Sequence, residues 1–427
     1  MWNSLEIDPF RPGAAYFVGT RYKLDDFTPY IYKTEDYGKT WKRIDNGINR
    51  LHFTRALRAD RTRKGLLYAG TEYGLYISYD DGANWMSFQC NLPVSPITDL
   101  ALKNNDLIVG TQGRSIYVLD DLSVIQQFNE NLLLKSWHVF SPAPAIRMNS
   151  GRSGYGSSAA SGANAPKGIV IPFWVDSLTE SKPVRVAVYD ANGKFIREFD
   201  SKSDKEKLDL TRGMNRFRWD LQYPDAEKGP DGLIIWNGAV RGPQAIPGNY
   251  TARFFFDQDS LNVPFTLLPD PNFKTTAKEY ADQLNYLLDV RDLFSETMVA
   301  LKKIRSVRSQ LEEKRGQWKS DTIPAMKALF DTSIRVLTEI EETLHQTKAK
   351  SSQDVLNHPI RLDDKLSGLY NQVRAGSGGV TKQSADAYAE IGGKIREALS
   401  RLKRVETEQV PAINAKALEY KLPAISW

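Results

Sequence analysis

Two stretches near the N-terminus share a turn motif that restricts the fold of this chain more than any other feature. Thr34-Glu35-Asp36-Tyr37-Gly38-Lys39-Thr40-Trp41 and Ser78-Tyr79-Asp80-Asp81-Gly82-Ala83-Asn84-Trp85 both read hydroxyl-x-Asp-x-Gly-x-(Thr/Asn)-Trp, with the tryptophans 44 positions apart (85 − 41). A repeat of that length made of short strands is the pattern of propeller blades. Each residue type has a turn-forming reason. An Asp carboxylate accepts from amides two residues on and closes a tight turn. Gly38 and Gly82 supply a positive φ. Trp41 and Trp85 open the next strand and cover the turn with a large apolar body. Thr34, Asp36, Gly38 and Trp41, with Ser78, Asp80, Gly82 and Trp85, therefore read as a structural set rather than a catalytic one.

The repeat continues beyond the turn. Leu67 to Asp81 aligns without a gap on Leu107 to Asp121 at an offset of 40, and an earlier copy begins at Tyr16-Phe17-Val18-Gly19-Thr20, followed by a longer loop from Arg21 to Pro29. Alternating apolar residues with Gly, Asp and Asn punctuation give four strands per unit, in the middle unit 53–59, 66–71, 74–79 and 85–89. Residues 5–128 then supply about three blades, whereas a propeller closes with at least four. Open sheet edges would be left, so the remaining blades or a partner chain are expected to complete the ring.

The repeat units resemble the bacterial neuraminidase repeat, or Asp-box, of sialidase-type and sortilin-type propellers. Segments spread over nearly all 427 residues resemble the C-terminal part of large secreted bacterial proteins usually labelled "glycosyl hydrolase" or "sortilin N-terminal domain-containing". They are Pro29 to Trp41, Gly65 to Glu72, Asn91-Leu92-Pro93, Thr111-Gln112-Gly113-Arg114, Gly213 to Asp220 and His358-Pro359-Ile360-Arg361-Leu362. The resemblance implies a bacterial secreted, periplasmic or cell-surface protein. Met1-Trp2-Asn3-Ser4-Leu5-Glu6 carries no signal-peptide pattern, and the two readings fit together if the chain is a truncated piece of a longer exported protein.

Downstream, residues 149–167 are rich in Gly, Ser, Ala and Asn and read as a flexible linker. Residues 168–270 carry strands at 169–175, 184–189, 195–199, 215–220 and 249–254, with Asp190-Ala191-Asn192-Gly193 as a hairpin turn. That spacing suggests an Ig-like β-sandwich, with Trp219 and Tyr250 in its core. Its Tyr-Asp-x-x-Gly-Lys and Pro-Gly-x-Tyr elements resemble the Ig-like domain of flagellar hook-capping proteins. From Thr275 the apolar period changes from two to about 3.6. Stripes at 280–304, 323–344, 362–373 and 388–402 indicate a C-terminal antiparallel helical bundle over 275–420. The runs Lys302-Lys303-Ile304-Arg305 and Glu312-Glu313-Lys314-Arg315 read as solvated faces. The fold class is thus multidomain β plus α: a partial β-propeller over 1–148, the linker, the sandwich and the bundle.

Composition excludes several functions. The net charge of +5 comes from 57 basic and 52 acidic residues that are interleaved rather than clustered, which argues against a nucleic-acid partner. No apolar run approaches a membrane span. The single cysteine, Cys90, excludes an intrachain disulfide and reads as a buried small residue. The four histidines are scattered in sequence, so no metal site and no cofactor is expected. No nucleophile-elbow, zincin or phosphate-loop motif is present.

In a four-stranded blade the loop between strands 2 and 3 and the connection entering strand 1 share one end, opposite the Asp-box turn. That end nominates His52, Arg55, Glu72, Gln112 and Arg114 as ligand-binding candidates. Two arginines, Arg55 and Arg114, suit a carboxylate or sulfate, and Glu72 is the weak candidate for an acid or base. A glycosidase needs two carboxylates, or a Tyr nucleophile with its acid. Glu72 with Asp25 or Asp26 offers such a pair without any spacing that requires it. The leading expectation is a non-catalytic ligand- or protein-binding portion of a secreted propeller protein. Two alternatives stand beside it: a sialidase-like glycoside hydrolase with part of its site on missing blades, and a sortilin-like receptor for a peptide. A glycan or peptide ligand follows from these readings.

Overall fold

The computed structural model describes residues 1–148, 167–176, 183–318 and 323–426. The linker expected at 149–167 falls outside the described residues except for Lys167. The N-terminal part forms three antiparallel sheets, each a simple meander. Sheet I runs β1(Trp2–Ile7), β2(Ala15–Arg21), β3(Asp26–Thr34), β4(Lys42–Arg43), and sheet II runs β5(Thr54–Ala59), β6(Leu67–Thr71), β7(Gly74–Ser78), β8(Met86–Ser87). Sheet III has three strands, β9(Ile97–Lys103), β10(Asp106–Thr111) and β11(Ile116–Leu119), because the chain then enters the short helix α1(Ser123–Gln127) where a fourth strand was expected.

The sheets stack face to face, and strand alternation decides which side chain meets which neighbour. Leu57, Ala59, Leu67, Ala69, Tyr76 and Trp85 of sheet II meet Tyr16, Val18, Ile31, Ile44 and Ile48 in one core. Ala56, Tyr68, Leu75 and Ile77, on the opposite face, meet Ile97, Leu100, Leu107 and Val109 of sheet III in another. Sheet II is covered on both sides, so β6 and β7 are buried at every position.

The gapless alignment of units two and three fails at the turn. In sheet II, Thr71 pairs with Gly74 across a two-residue turn, whereas the amide of Thr111 donates to the carbonyl of Ser115, with three residues between. The extra residue shifts β11 by one, so Val118 rather than Tyr117 takes the place of Ile77, as the partners Tyr68↔Ile77 and Ile108↔Val118 show. A one-residue slip moves every side chain to the other face.

Two further sheets share one core. One has the order β12(Trp137–Val139), β14(Ile169–Val175), β17(Gly213–Trp219). The other has β13(Ala145–Arg147), β19(Asp259–Pro269), β18(Gly248–Phe256), β15(Val184–Asp190), β16(Phe195–Asp200). Phe173, Phe217 and Trp219 from the first meet Val186, Tyr250, Phe254 and Phe265 from the second. The β15–β16 turn is closed by the Asp190 carboxylate, which accepts from the amides of Asn192 and Lys194 at 2.9 Å each. Sequence reading missed β19; the turn before it places Asp257 at φ 55, a conformation Asp tolerates.

The helical part comprises α2(Ala277–Gln317), α3(Pro324–Leu344), α4(Leu362–Ala375), α5(Lys382–Arg404) and α6(Val410–Glu419), the last two joined by a π turn at Val405–Gln409. Thr276 and Glu279 form a capping box that starts α2. Of the charged run at 302–305, Ile304 is in the core, and Arg305 with Arg308 clamps the buried Glu341. That part of the run is an internal ion pair, not a solvated face.

The β17–β18 connection leaves the sheets and packs on the helices. Val240 joins the helical core with Leu233 and Ile235 against it. The Asp364 carboxylate accepts from the amides of Trp236 (2.7 Å) and Asn237 (2.9 Å). Leu284 of α2 reaches the core of the two sheets in return. The segments 168–270 and 275–420 are therefore interlocked by this strap.

Candidate ligand-binding rim

The turns β2–β3, β6–β7 and β10–β11 lie at one end of the sheets, tied to the segments that enter the next strands. The amide of Glu72 donates to the carbonyl of Phe53 at 3.0 Å, and that of Gln112 to Pro96 at 2.9 Å. Within this rim Arg55 and Glu72 meet: Arg55 Nε lies 2.6 Å from Glu72 Oε2. The Arg55 guanidinium also lies over the rings of Phe53 (5.2 Å) and Tyr22 (6.0 Å). Tyr22, from the long β2–β3 loop, stacks on Phe53 at 5.0 Å. His52 stacks on the exposed Tyr73 at 4.7 Å, and its Nδ1 lies 2.9 Å from the Tyr76 hydroxyl. Burial pushes the His52 imidazole below its ordinary pKa.

The other candidates are not drawn into this group. Gln112 and Arg114 are exposed on the turn of sheet III, and among the described residues Arg114 makes no ion pair. Asp26 accepts from Tyr30 Oη at 2.6 Å and from the amide of Thr28 at 3.1 Å, which hold its carboxyl below the ordinary value. Asp25 is exposed at φ 58, where it ends the 3₁₀ turn Tyr22–Leu24. Arg55, nominated as an anion clamp, already faces Glu72, so a carboxylate ligand would have to compete with that partner.

At the opposite end the two repeat turns are closed in the same way. Asp36 Oδ1 accepts from the amide of Thr40 (2.9 Å) and from Thr34 Oγ1 (2.8 Å), and Asp36 Oδ2 from Thr40 Oγ1 (2.7 Å). Asp80 repeats this with the amide of Asn84 (2.8 Å), Ser78 Oγ (2.8 Å) and Asn84 Nδ2 (2.7 Å). The accepted amide lies four residues on, not two, and the hydroxyls of Thr34 and Ser78 hold the glycine amides instead. The side-chain and backbone bonds of Thr40, with Thr34, bring the Asp36 carboxyl down to about 2. The tryptophans differ: Trp85 is buried and donates to the carbonyl of Ile44 at 2.7 Å, whereas Trp41 is exposed. Cys90 is exposed rather than buried, at φ 47 in the turn that returns Leu92 to Gln89.

One repeated polar cluster went unread in the sequence. Asp8-Pro9-Phe10-Arg11-Pro12-Gly13-Ala14-Ala15-Tyr16 and Asp60-Arg61-Thr62-Arg63-Lys64-Gly65-Leu66-Leu67-Tyr68 share Asp-x-x-Arg-x-Gly-x-x-Tyr at an offset of 52 (60 − 8). Each Asp accepts from the two following turn amides and from its Tyr hydroxyl. Each Arg then reaches the unit that follows, Arg11 the turn after β7 and Arg63 the helix α1 and its C-terminal end. Arg11 bonds Asp81 Oδ1 at 2.9 Å beside Lys33, and Arg63 donates to the carbonyls of Ile125, Gln126 and Phe128. Burial pushes the Asp8 carboxyl up, but the Phe10 amide, Arg11 and Tyr16 outweigh it and hold it below 3.8. Asp81 is likewise raised by burial and lowered further by Arg11, Lys33 and Tyr16.

A cleft of about 1460 Å³ opens elsewhere, lined by Asp106 and Val118 of sheet III, Arg147 and Arg216 of the two-sheet unit, and Gln283 and Arg374 of the helices. None of the rim candidates lines it. Among the described residues no His, Cys, Asp and Glu group could hold a metal ion, and no helix is long and apolar enough to cross a membrane.

No family model matches the chain, and no curated protein matches it. Among solved structures it is similar to the GH74 enzyme of Niastella koreensis (13% identity, TM-score 0.23, 62% of this chain and 38% of that one). It is similar also to YCF48 bound to D1 peptide (10%, 0.23, 62% and 81%) and to the extracellular domain of the hybrid two-component system BT4673 from B. thetaiotaomicron (9%, 0.23, 63% and 31%). The chain thus spans under two fifths of the length of the GH74 enzyme. At these TM-scores the likeness fixes neither a residue correspondence nor an activity.

Proposed function

We propose that this chain is a non-catalytic, ligand- or protein-binding portion of an exported Asp-box propeller protein. Sheets I to III act as blades, and the two-sheet unit (read as Ig-like) and the helices act as supporting modules. The observation that carries the reading is the rim. Arg55 and Glu72 face each other there, so the best acid candidate has a cationic partner rather than a second carboxylate. Around that pair stand Tyr22, Phe27, Phe53 and Tyr73, with Phe27 and Tyr73 exposed. Aromatic rings and an arginine over a rigid sheet end are what binding hot spots use. The carboxylates of Asp36 and Asp80 are engaged with their own turns and are remote from this end.

The test pairs turnover with binding. Chromogenic glycosides should show no hydrolysis above blank, with wild type and Glu72→Gln alike. A displayed peptide library should yield saturable binders whose affinity falls about tenfold or more in Tyr73→Ala or Arg55→Ala. Glycoside turnover that disappears in Glu72→Gln would instead establish the hydrolase.

A further inference from the structure

The face of sheet I that points away from sheet II is built like a buried face. The offsets of 52 and 44 pair Leu5 with Leu57, Ile7 with Ala59, Phe17 with Ala69, Tyr32 with Tyr76 and Trp41 with Trp85. The sheet II members lie in the core between sheets I and II. Of their sheet I counterparts, Phe17 and Tyr32 are half-buried and the other three lie in the open: Leu5 is 66% exposed against 1% for Leu57, Ile7 69% against 3% for Ala59, and Trp41 42% against 4% for Trp85. Trp2 lies against Phe17 at 4.3 Å, and Phe17 contacts both Tyr32 and Trp41 at 5.9 Å. With Tyr30 and Met1 they line a hollow of about 750 Å³. A contiguous apolar face of this kind marks an interaction surface.

We propose that this face docks a further four-stranded Asp-box sheet, seated on sheet I as sheet I is seated on sheet II. The inference rests on reading the sheets as propeller blades, and it names the partner's chemistry from the interface already formed. Sheet I covers Trp85 with the segment after β4: the indole donates to Ile44, the Trp85 amide donates to Asn46, and Gly47 passes so close that a Cβ there would lie 2.2 Å from the Trp85 carbonyl oxygen. The partner must therefore end its fourth strand in an Ile-x-Asn-Gly-Ile-like turn to cover Trp41.

A second copy of this chain does not meet that requirement. Its faces of Tyr16, Val18, Ile31 and of Tyr68, Leu75, Ile77 are already covered. The outer face of sheet III lacks a fourth strand and is followed by α1 instead of such a turn.

The test adds a sheet to the full chain. Residues 1–53 are duplicated directly before Trp2, so that the natural β4–β5 linker joins the added sheet to β1. A second version carries Tyr16→Ala and Ile31→Ala in the added copy, to admit the bulkier Phe17 and Ile7, and in both versions the added copy carries Trp41→Phe, so that labelling at Trp41 reports the original sheet alone. Hydroxyl-radical footprinting reads Trp41, with the exposed Trp236 on the strap as internal reference. At least one fusion should lower Trp41 labelling toward the level of Trp85, about tenfold by their exposures of 42% and 4%. Phe17→Asp in the original sheet should restore it. Unchanged Trp41 labelling in both fusions overturns the proposal. So does concentration-dependent protection of Trp41 in the unfused chain, which would assign the face to a second copy. Both readouts are independent of peptide binding at the rim, so either proposal can fail alone.

Discussion

Replacing Arg11 by methionine isolates the tie between sheets I and II. Methionine keeps most of the aliphatic length and removes the guanidinium from Asp8, Asp81 and Glu35. The Asp8 side chain is 2% exposed and that of Asp81 24%. Removing one member of a fully buried pair costs about 3–5 kcal/mol. Here Asp8 keeps two amides and Tyr16, and Asp81 keeps Lys33, so about 2–3 kcal/mol is expected. In a chain with several cooperative units a single unfolding free energy is poorly defined. The suitable assay is native-state hydrogen exchange on peptides covering β2, β3 and β7. Protection there should fall about 30- to 150-fold, with the helical peptides unchanged. Arg11→Met with Asp81→Asn should be less than additive by about 1 kcal/mol or more.

Acidity gives a second axis for the same variant. Asp8 and Asp81 both sit below 3.8 in the folded chain. A depressed carboxyl contributes stability that is present above its unfolded value and lost as pH falls through its folded value. The gap between wild type and Arg11→Met should thus be full at neutral pH and close below about pH 4. Equal exchange in the two proteins at pH 7, or strict additivity with Asp81→Asn, would refute the tie.

Other outcomes follow from single contacts. Gly82→Ala should destabilise sheet II more than Gly38→Ala destabilises sheet I. Both glycines have φ near +84, but an added Cβ lies 2.5 Å from Ile44 Cδ1 at Gly82 and 3.8 Å from its nearest neighbour at Gly38; the difference should be about 1–3 kcal/mol in proteolytic stability. Asp364→Ala should cost about 2 kcal/mol and raise exchange across the strap at 220–247, since two amides lose their acceptor. Cys90 should label in the native chain, more slowly than free cysteine and faster as pH rises, because the partial desolvation of its sulfur pushes the thiol up from its ordinary value.

Much of the architecture was legible because it rests on local patterns. The strands of sheet II, the Asp190–Gly193 turn and the helical stripes each declare themselves through periodicity and turn residues. What escaped depends on one-residue differences or on distance. The extra residue in the Gln112–Arg114 turn is invisible to a gapless alignment that looks good on both sides of it, yet it decides which face of β11 is buried. The strap at 220–247 has no periodicity, and its partner Asp364 lies 127 or more residues away. The Asp-x-x-Arg-x-Gly-x-x-Tyr repeat was present in plain text, but its offset of 52 differs from the 44 of the tryptophan turns, so a search at one period passes over it. The unequal offsets have a structural cause, since the β2–β3 loop of sheet I is the longer one and the second motif follows it.

That difference in loop length also explains why the rim, rather than the repeat turns, is where recognition is expected. The β3–β4 and β7–β8 turns have one length and one bonding scheme, because the Asp carboxylate must reach an amide four residues on and the glycine must take a positive φ. An insertion there would break the closure. The opposite end carries no such constraint: its turns span Tyr22–Asp25, Glu72–Tyr73 and Gln112–Arg114, each with different side chains on a similar sheet edge. Variation in length and chemistry is confined to the end where the sheet geometry tolerates it. The same logic predicts that grafting the Gln112–Arg114 turn in place of Glu72-Tyr73 should leave the core of sheet II intact while removing the Arg55 partner and the ring on His52. A graft that instead unfolds sheet II, read by loss of Trp85 burial, would show that this turn holds the sheet together.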